Sequence, residues 1–267
     1  MAGKPPSYVP HERCALKYVV MYSGGVGSWG AAKRLPAGAD ATILFCDTKI
    51  EDEDTYRFLR ESAANTGFPL VEIAEGRTPW EVFKDKRWIG NSRIAQCSHL
   101  LKQVPARKWM DEHGQGTTVV VGIDWSEAHR LEAIMRHWSP WPVIAPLCDA
   151  PYLSKRELID WAASEGVREQ RLYSMNFSHA NCGGFCVRAG VGHFANLYKQ
   201  MPERYLHHEA QETALRSYLG KDQSILTRVR GEEKVPLTLA ELRKELDADQ
   251  QVDMFDLGGC GCFVEAA

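Results

Sequence analysis

The amino-acid sequence predicts an α/β fold built around a largely parallel sheet. From residue 17 onwards, short β-branched runs alternate with longer amphipathic segments. A glycine-rich turn also leads from the first of these runs directly into a helical pattern. Alternation of this kind is typical of βαβ units. We therefore expect a doubly wound, mostly parallel five-stranded sheet.

The elements of this α/β region follow in order along the chain. The predicted strands are Lys17–Tyr22, Ala41–Cys46, Pro69–Ile73, Thr117–Val121 and Pro142–Ala145. Helical patterns lie between or after them at Ser28–Leu35, Asp52–Thr66, Trp80–Lys86, Ser98–His113, Glu127–Arg136 and Ser154–Gly166. In the last helix, Ser154 is a typical N-cap and Gly166 a typical end.

The strand signals fade after about residue 175, and helical patterns continue. They lie at Val187–Gln200, Pro202–Leu219 and Leu237–Asp249, with glycine-rich cysteine motifs before and after them. This predicts an N-terminal extension over 1–16, an α/β domain over 17–175, and a smaller helical C-terminal region over 176–267 that contains the cysteine motifs.

Composition limits the class of protein. The 267 residues carry a formal charge of −3 and are 44% hydrophobic, which is ordinary for a globular chain. The near-neutral charge argues against a nucleic-acid binder that uses its whole surface. The N-terminus lacks a signal-peptide pattern, and no apolar run reaches the length of a membrane span. We expect a cytoplasmic protein that does not bind membranes, in which the 8 cysteines are ligands, catalytic thiols or buried residues.

The glycine-rich turn is the first candidate site. Residues 23–28 read Ser-Gly-Gly-Val-Gly-Ser directly after the first predicted strand. Glycines let the backbone approach a ligand, and amides at a helix start bind anions. The spacing matches neither a Walker A loop nor a dinucleotide fingerprint. The loop therefore predicts phosphate or sulfate binding, and a plain βα turn is the alternative.

The loop, together with later motifs, resembles the PP-loop ATP pyrophosphatases and, within that superfamily, the phosphoadenosine phosphosulfate (PAPS) reductase family. The later motifs are Asp47-Thr48, Cys97, Leu101-Lys102, Pro105, Gly122-Ile123-Asp124, Glu127, Arg130, Pro146-Leu147 and Lys155, within about residues 17–190. The resemblance implies an adenine nucleotide alpha hydrolase-like fold that binds ATP or an adenylyl sulfate (APS or PAPS) at the carboxyl ends of its strands. The nucleotide-binding residues it implies are Ser23, Gly24, Gly25, Gly27, Ser28, Asp47, Arg93, Lys102, Gly122, Arg130 and Lys155.

One position departs from the pattern of the superfamily. PP-loop enzymes that split ATP usually carry aspartate where this chain has Gly27. Its absence weakens the expectation of ATP cleavage and is similar to the sulfonucleotide reductases, whose ligand has no departing pyrophosphate.

Basic residues surround Cys97 in the sequence. Between Trp80 and Trp109 there are seven basic and two acidic residues, a local charge of +5. Arg93 and Lys102 flank Cys97, and the resemblance places them beside the nucleotide. Arg130 and Lys155 each begin a helix after a predicted strand, where they can reach the same cleft. The alternative for all of them is a solvated surface or a surface ion pair.

The cysteines divide into two groups. Cys14, Cys46 and Cys148 are interpreted as packing residues. The other five are Cys97, the C-x-x-x-C pair Cys182 and Cys186, and the C-x-C pair Cys260 and Cys262. The resemblance implies that Cys97, Cys182 and Cys186 are ligands of a 4Fe-4S cluster, with Cys260 or Cys262 as the fourth. A zinc site, with His99 or His179 as substitute ligands, and a redox disulfide are the alternatives.

The resemblance leads to three hypotheses of function. The first is a sulfonucleotide reductase-like oxidoreductase in which a thiolate of Cys262 or Cys260 attacks the sulfur of an adenylyl sulfate and a thiol reductant such as thioredoxin releases sulfite. The second is an ATP-dependent adenylating sulfurtransferase that acts on tRNA or DNA. The third is a non-catalytic nucleotide-binding subunit of a larger assembly.

Overall fold

A five-stranded parallel sheet forms the centre of the protein. The computed structural model describes residues 17–90 and 95–258. The strands are β1 (Lys17–Tyr22), β2 (Asp40–Asp47), β3 (Leu70–Ala74), β4 (Thr117–Val121) and β5 (Val143–Ile144). They lie in the order β3-β2-β1-β4-β5, and every neighbouring pair is parallel. The predicted fold class is confirmed, with strand bounds shifted by at most one residue.

The order of the strands reverses at β1, which pairs with β2 on one side and β4 on the other. Five of its six residues are buried, as expected for a strand covered on both faces. The connection from β1 to β2 runs through α1, the connection from β3 to β4 runs through α5, and these two helices pack on opposite faces of the sheet. The carboxyl ends of β1 and β4 open a crevice between them. This is where doubly wound sheets bind ligands.

Helices cover both faces of the sheet and continue after it. They are α1 (Val26–Lys33), α2 (Glu53–Thr66), α3 (Pro79–Lys86), α4 (Gln96–Ser98), α5 (Val104–His113), α6 (Leu131–Trp138), α7 (Lys155–Ser164), α8 (Arg171–Ser174), α9 (Val191–Gln200), α10 (Pro202–Leu219) and α11 (Leu239–Asp247). Helix α7 begins with the predicted cap, since Ser154 and Glu157 form a reciprocal capping box. Within the described ranges, no helix is long and apolar enough to cross a membrane.

Two predicted helices of the α/β region differ from the structure in helix type. The helix expected over 98–113 is interrupted by a π-helical turn, His99–Gln103, directly before α5. Pro105 accounts for the break because it lacks the N–H that a continuous α-helix would bond to residue 101. The helix expected over 127–136 begins instead as a 3₁₀ turn, Trp125–Arg130, and continues as α6.

The C-terminal region contains, besides its helices, a strand pair that the sequence did not predict. Strands β6 (Leu226–Arg230) and β7 (Glu233–Leu237) form an antiparallel hairpin. Only Leu226 and Leu237 in it are buried, and the rest carries charges and a proline. Such a strand pair lacks the alternating apolar pattern that marks a strand in sequence.

Three hydrophobic clusters form the core. One lies on the α1, α2 and α7 face of the sheet, around Trp29 and Phe58. A second lies on the opposite face, around Met110 and Trp138. The third joins Phe83 of α3 to aromatic residues of the C-terminal region, namely Phe185, Phe194 and Tyr205. Through the last cluster, the segment between β5 and α9 packs against α3 and the C-terminal helices.

A buried histidine lies inside the third cluster. His208 accepts a hydrogen bond at Nδ1 from Trp80 Nε1 at 3.0 Å, and its ring stacks on Phe185 with centroids 3.9 Å apart. Burial among these rings lowers the pKa of His208 to about 3. The imidazole is therefore neutral in the folded protein at ordinary pH.

Candidate functional site

A cleft of about 680 Å³ opens at the carboxyl ends of β1 and β4. The residues predicted to bind the nucleotide that line it are Ser23, Gly25, Gly27, Ser28, Gly122, Arg130 and Lys155. They come from four separate stretches of sequence. The crevice expected from the parallel sheet therefore brings most of the predicted set together.

The Ser23–Ser28 loop begins helix α1 with backbone groups rather than a side-chain cap. Gly25 is the N-cap residue and has no side chain, and Ser28 Oγ donates to the Gly25 carbonyl oxygen at 2.8 Å. Gly24 has a φ of +75° and its carbonyl oxygen accepts from Gln170 Nε2 at 2.8 Å. The loop thus presents the N-terminus of a helix to the cleft, the arrangement that favours an anion.

Gly27 and Gly122 bring α1 and β4 into direct backbone contact. A Cβ on Gly27 would lie 2.7 Å from the Gly122 carbonyl oxygen, and a Cβ on Gly122 would lie 2.6 Å from the Ser28 nitrogen. Neither position therefore accepts a side chain without moving the backbone. An aspartate at position 27 would therefore collide with the backbone directly after β4 unless that backbone moved.

The outer wall of the cleft combines acidic and basic side chains. Asp124 caps the 3₁₀ turn by accepting from the Ser126 nitrogen at 2.8 Å. Arg130 is paired with Glu127, and Lys155 donates to the Ser178 carbonyl oxygen. Both predicted cations thus line the cleft but already have protein partners. A bound anion would have to compete for them.

Three described residues of the predicted nucleotide-binding set, Asp47, Lys102 and Gly24, do not line this cleft. Asp47 accepts from Tyr56 Oη at 2.7 Å and from the Lys49 nitrogen at 2.8 Å. Burial opposes ionisation of Asp47, but these hydrogen bonds outweigh it and lower the pKa of the carboxyl group. Lys102 is only 2% exposed and lies 3.5 Å from Glu51. Gly24 faces Thr55 and Gln170, and Arg93 lies outside the described residues.

A second, much smaller cavity lies next to the cleft. Its volume is about 30 Å³, and Cys97, Cys182, Cys186 and Lys102 line it. The structure therefore gathers the three predicted cluster ligands around one space. Within residues 17–90 and 95–258, however, no group of three or more His, Cys, Asp or Glu residues is arranged to hold a metal ion. Cys260 and Cys262 lie outside the described residues, as does Cys14.

The backbone around Cys182 is in an uncommon conformation. Cys182 has a φ of +54°, and Gly183 and Gly184 have φ values of +60° and +82°. The Cys182 amide donates to Glu51, which also accepts from Thr48 Oγ1 at 3.0 Å. A non-glycine residue at positive φ requires support from its surroundings, and Glu51 supplies it here.

The surroundings of the cysteine cavity shift the pKa of Cys182. Burial raises the pKa of Cys182 well above its usual value, Glu51 and the two other cysteines raise it further, and Lys102 opposes them. The ammonium group thus partly compensates a buried thiolate. The packing interpretation suits Cys46, which is 2% exposed and whose pKa burial raises to about 12. Cys148 is partly buried and donates to the carbonyl oxygens of Ile123 and Asp124.

Several residues at these sites were not predicted from the sequence. Gln170 and Tyr173 belong to no recognisable motif, yet one supports Gly24 and the other lines the cleft, 3.4 Å from the Val26 nitrogen. Glu51 begins the acidic run of residues 51–54, and runs of this kind usually lie on the solvent-exposed surface. His179, considered only as a zinc ligand, lines the cleft, and its Nδ1 is buried without a hydrogen-bond partner among the described residues.

The fold and the cleft together define a doubly wound α/β protein. A glycine-rich loop presents the N-terminus of a helix to the cleft at the point where the strand order reverses. No family model matches the chain. It is 30% identical over 175 residues to an uncharacterized nin region protein of Escherichia phage lambda, covering 54% of this chain and 58% of that protein. It is 23% identical over 232 residues to an uncharacterized protein of Methanocaldococcus jannaschii, covering 79% of this chain and 44% of that protein.

The chain thus spans roughly half the length of these two relatives. Among solved structures, the phosphate complex of phosphoadenylyl-sulfate (PAPS) reductase from Candida auris matches with a TM-score of 0.46 and 18% identity, over 64% of this chain and 82% of the other. Similarity at this level assigns neither activity nor substrate.

Proposed function

We propose that the cleft binds an adenine nucleotide, with its phosphate or sulfate against the Ser23–Ser28 loop, and that the chain catalyses sulfonucleotide reduction. One observation carries the proposal. A single segment borders both sites, because Ser178–Asn181 lines the cleft and Cys182 with Cys186 lines the cysteine cavity. Sulfur chemistry on a nucleotide requires such proximity of an anion loop and thiols.

The residues of the cleft have distinct roles in this proposal. The N-terminal amides of α1 hold the anion, with the helix dipole adding to the attraction. Arg130 and Lys155 contact the remaining oxygens once they exchange their protein partners. Trp125 is half-exposed at the mouth of the cleft and provides an apolar surface for the base.

The proposed reaction uses a thiolate of Cys262 or Cys260. The thiolate attacks the sulfur of an adenylyl sulfate, the bond from that sulfur to the phosphate oxygen breaks, and the nucleotide leaves with a terminal phosphate. The enzyme then carries a thiosulfonate. A second thiol attacks the cysteine sulfur, so that sulfite leaves with the electron pair and a disulfide forms. An external dithiol reduces that disulfide.

An iron–sulfur cluster held by Cys97, Cys182, Cys186 and one C-terminal cysteine is part of the proposal. Cys97, Cys182 and Cys186 line one cavity together with Lys102, and this cavity of about 30 Å³ would have to expand to admit a cluster. The described residues alone do not form a metal site, so no step above passes through a cluster. Anaerobic purification followed by iron, sulfide and zinc analysis tests it. Cys182→Ser should lose the metal, and Cys148→Ser should keep it.

Nucleotide binding and turnover test the main proposal. Calorimetry with ATP, adenosine 5′-phosphosulfate and its 3′-phosphorylated form should detect binding of a sulfonucleotide, and incubation with thioredoxin should release sulfite. Failure to bind any of the three would overturn the proposal. Pyrophosphate release from ATP that tRNA or DNA stimulates would support the sulfurtransferase alternative instead.

A further inference from the structure

A fully buried carboxylate at the start of helix α2 pairs with two arginines from other elements. Asp52 accepts from Arg171 Nε at 2.8 Å and from Arg171 Nη2 at 2.6 Å, and Arg204 Nη2 lies 3.6 Å from its Oδ2. Asp52 also caps α2, because its Oδ1 accepts from the Asp54 nitrogen at 2.9 Å. One carboxylate therefore holds α2, α8 and α10 together.

Arg204 connects Asp52 to the backbone turn at residues 182–184, which we call the cysteine turn. Its Nη1 donates to the Gly183 carbonyl oxygen at 2.7 Å. Gly183 has a φ of +60°, and a Cβ at this position would overlap the Arg204 guanidinium group. The guanidinium group thus occupies the space that a side chain on the turn would need.

Arg171 connects Asp52 to the Ser23–Ser28 loop through helix α8. Gln170, the N-cap residue of α8, donates from Nε2 to a carbonyl oxygen of the loop at 2.8 Å. Tyr173, in the same helix, accepts at its hydroxyl from a loop amide at 3.4 Å. The two residues that support the loop therefore flank the arginine that Asp52 holds.

We infer that Asp52 is a positioning residue that fixes the cysteine turn and the Ser23–Ser28 loop relative to each other. Arg204 carries its position to the turn, and Arg171 carries it to the loop. Charge-assisted hydrogen bonds to a buried carboxylate are short and directional, so they resist displacement of either partner. This inference deepens the proposed function, in which the loop holds the anion and the turn carries Cys182.

Hydrogen–deuterium exchange of the full chain, read by mass spectrometry of peptic peptides, tests the inference. Arg204→Gln should raise the exchange rate of the cysteine turn about tenfold, because a lost charge-assisted hydrogen bond favours local opening. Arg171→Gln should have this effect on α8 and the Ser23–Ser28 loop and leave the turn unchanged. Asp52→Asn keeps an N-cap on α2 but removes the charge, so it should raise exchange at both places.

Arg216→Gln is the matched control on the same helix as Arg204. Arg216 donates to the Gln223 carbonyl oxygen and pairs with Asp222, and neither partner lines the cleft or the cysteine cavity. Its replacement should leave exchange of the turn and the loop unchanged. Arg204→Lys keeps a positive charge beside Asp52 and should restore part of the protection of the turn.

Strand β1 is the internal reference, because a general loss of stability raises exchange throughout the core. The inference is overturned if Asp52→Asn raises exchange at only one of the two places, or if β1 exchanges faster by the same factor. It is also overturned if Arg204→Gln leaves the turn as protected as in the unmodified chain. The assay contains no nucleotide, so a failure of nucleotide binding would refute the proposed function and leave this result standing.

Discussion

Gly27→Ala tests whether the cleft depends on direct backbone contact between α1 and β4. The added methyl group would lie 2.7 Å from the Gly122 carbonyl oxygen, whereas ordinary van der Waals contact begins near 3.4 Å. The obstacle is backbone on both sides, so no side-chain rotation relieves it. The start of α1 and the end of β4 must separate by about 0.7 Å.

The sign of the change in the free energy of unfolding shows whether this backbone contact constrains the fold. In open space, replacing a helical glycine by alanine stabilises a protein by roughly 0.5–1 kcal/mol. Forcing extra volume into a packed contact costs about 1–3 kcal/mol. We expect the second effect to dominate, with a net loss of about 1–2 kcal/mol in the free energy of unfolding. Anion affinity should fall as well, because the displaced amides belong to the loop.

Urea denaturation of the unmodified chain and the variant measures this difference. Gly25→Ala is the matched change in the same loop, since its nearest neighbour is the Tyr173 hydroxyl at 3.1 Å, the movable end of a side chain. It should cost less than Gly27→Ala. If Gly27→Ala proves as stable as the unmodified chain, the close approach of α1 and β4 is not a constraint on the site.

Three further predictions concern single side chains. Lys155→Gln should weaken sulfonucleotide binding in calorimetry about tenfold, since one charge-assisted contact is lost, whereas Lys86→Gln should bind normally. Because the folded-state pKa of His208 is lowered to about 3, its contribution to stability is full above the unfolded value near 6.5 and is lost as pH falls. Unfolding at pH 5 should be easier than at pH 7 by about 2 kcal/mol through this group, and His208→Gln should remove that part of the pH dependence. Lys102→Met should destabilise the fold by about 3 kcal/mol, because the buried Glu51 carboxylate loses its cation; adding Glu51→Gln should recover part of the loss.

The sheet could be predicted because its signal is local. Strands covered on both faces are continuous apolar runs, and β1 and β4 match their predicted bounds. The hairpin of β6 and β7 was missed because it is largely exposed. Its strands exist through pairing with each other, and a single charged segment carries little trace of its partner.

The cleft and the cysteine cavity also differ in how far the sequence predicts them. In a parallel sheet the carboxyl ends of the strands lie at the same edge, so the sequence alone assigns Ser23 and Gly122 to one cleft. No comparable rule applies to Lys102. Lys102 lies on the π-helical turn, and its ammonium group contacts Glu51 and lines the cysteine cavity rather than the cleft. Order along the chain does not show on which side of a loop a residue lies.

The segment from Ser178 to Arg188 links the two sites physically. Its first half lines the cleft and its second half lines the cysteine cavity, with the uncommon backbone of Cys182 between them. Glu51 holds that turn from one side, and Lys102 holds Glu51. A ligand that moves the first half of the segment must therefore change the surroundings of the buried thiols. Conversely, any group bound by those thiols fixes the wall of the cleft, so occupancy of one site should alter affinity at the other.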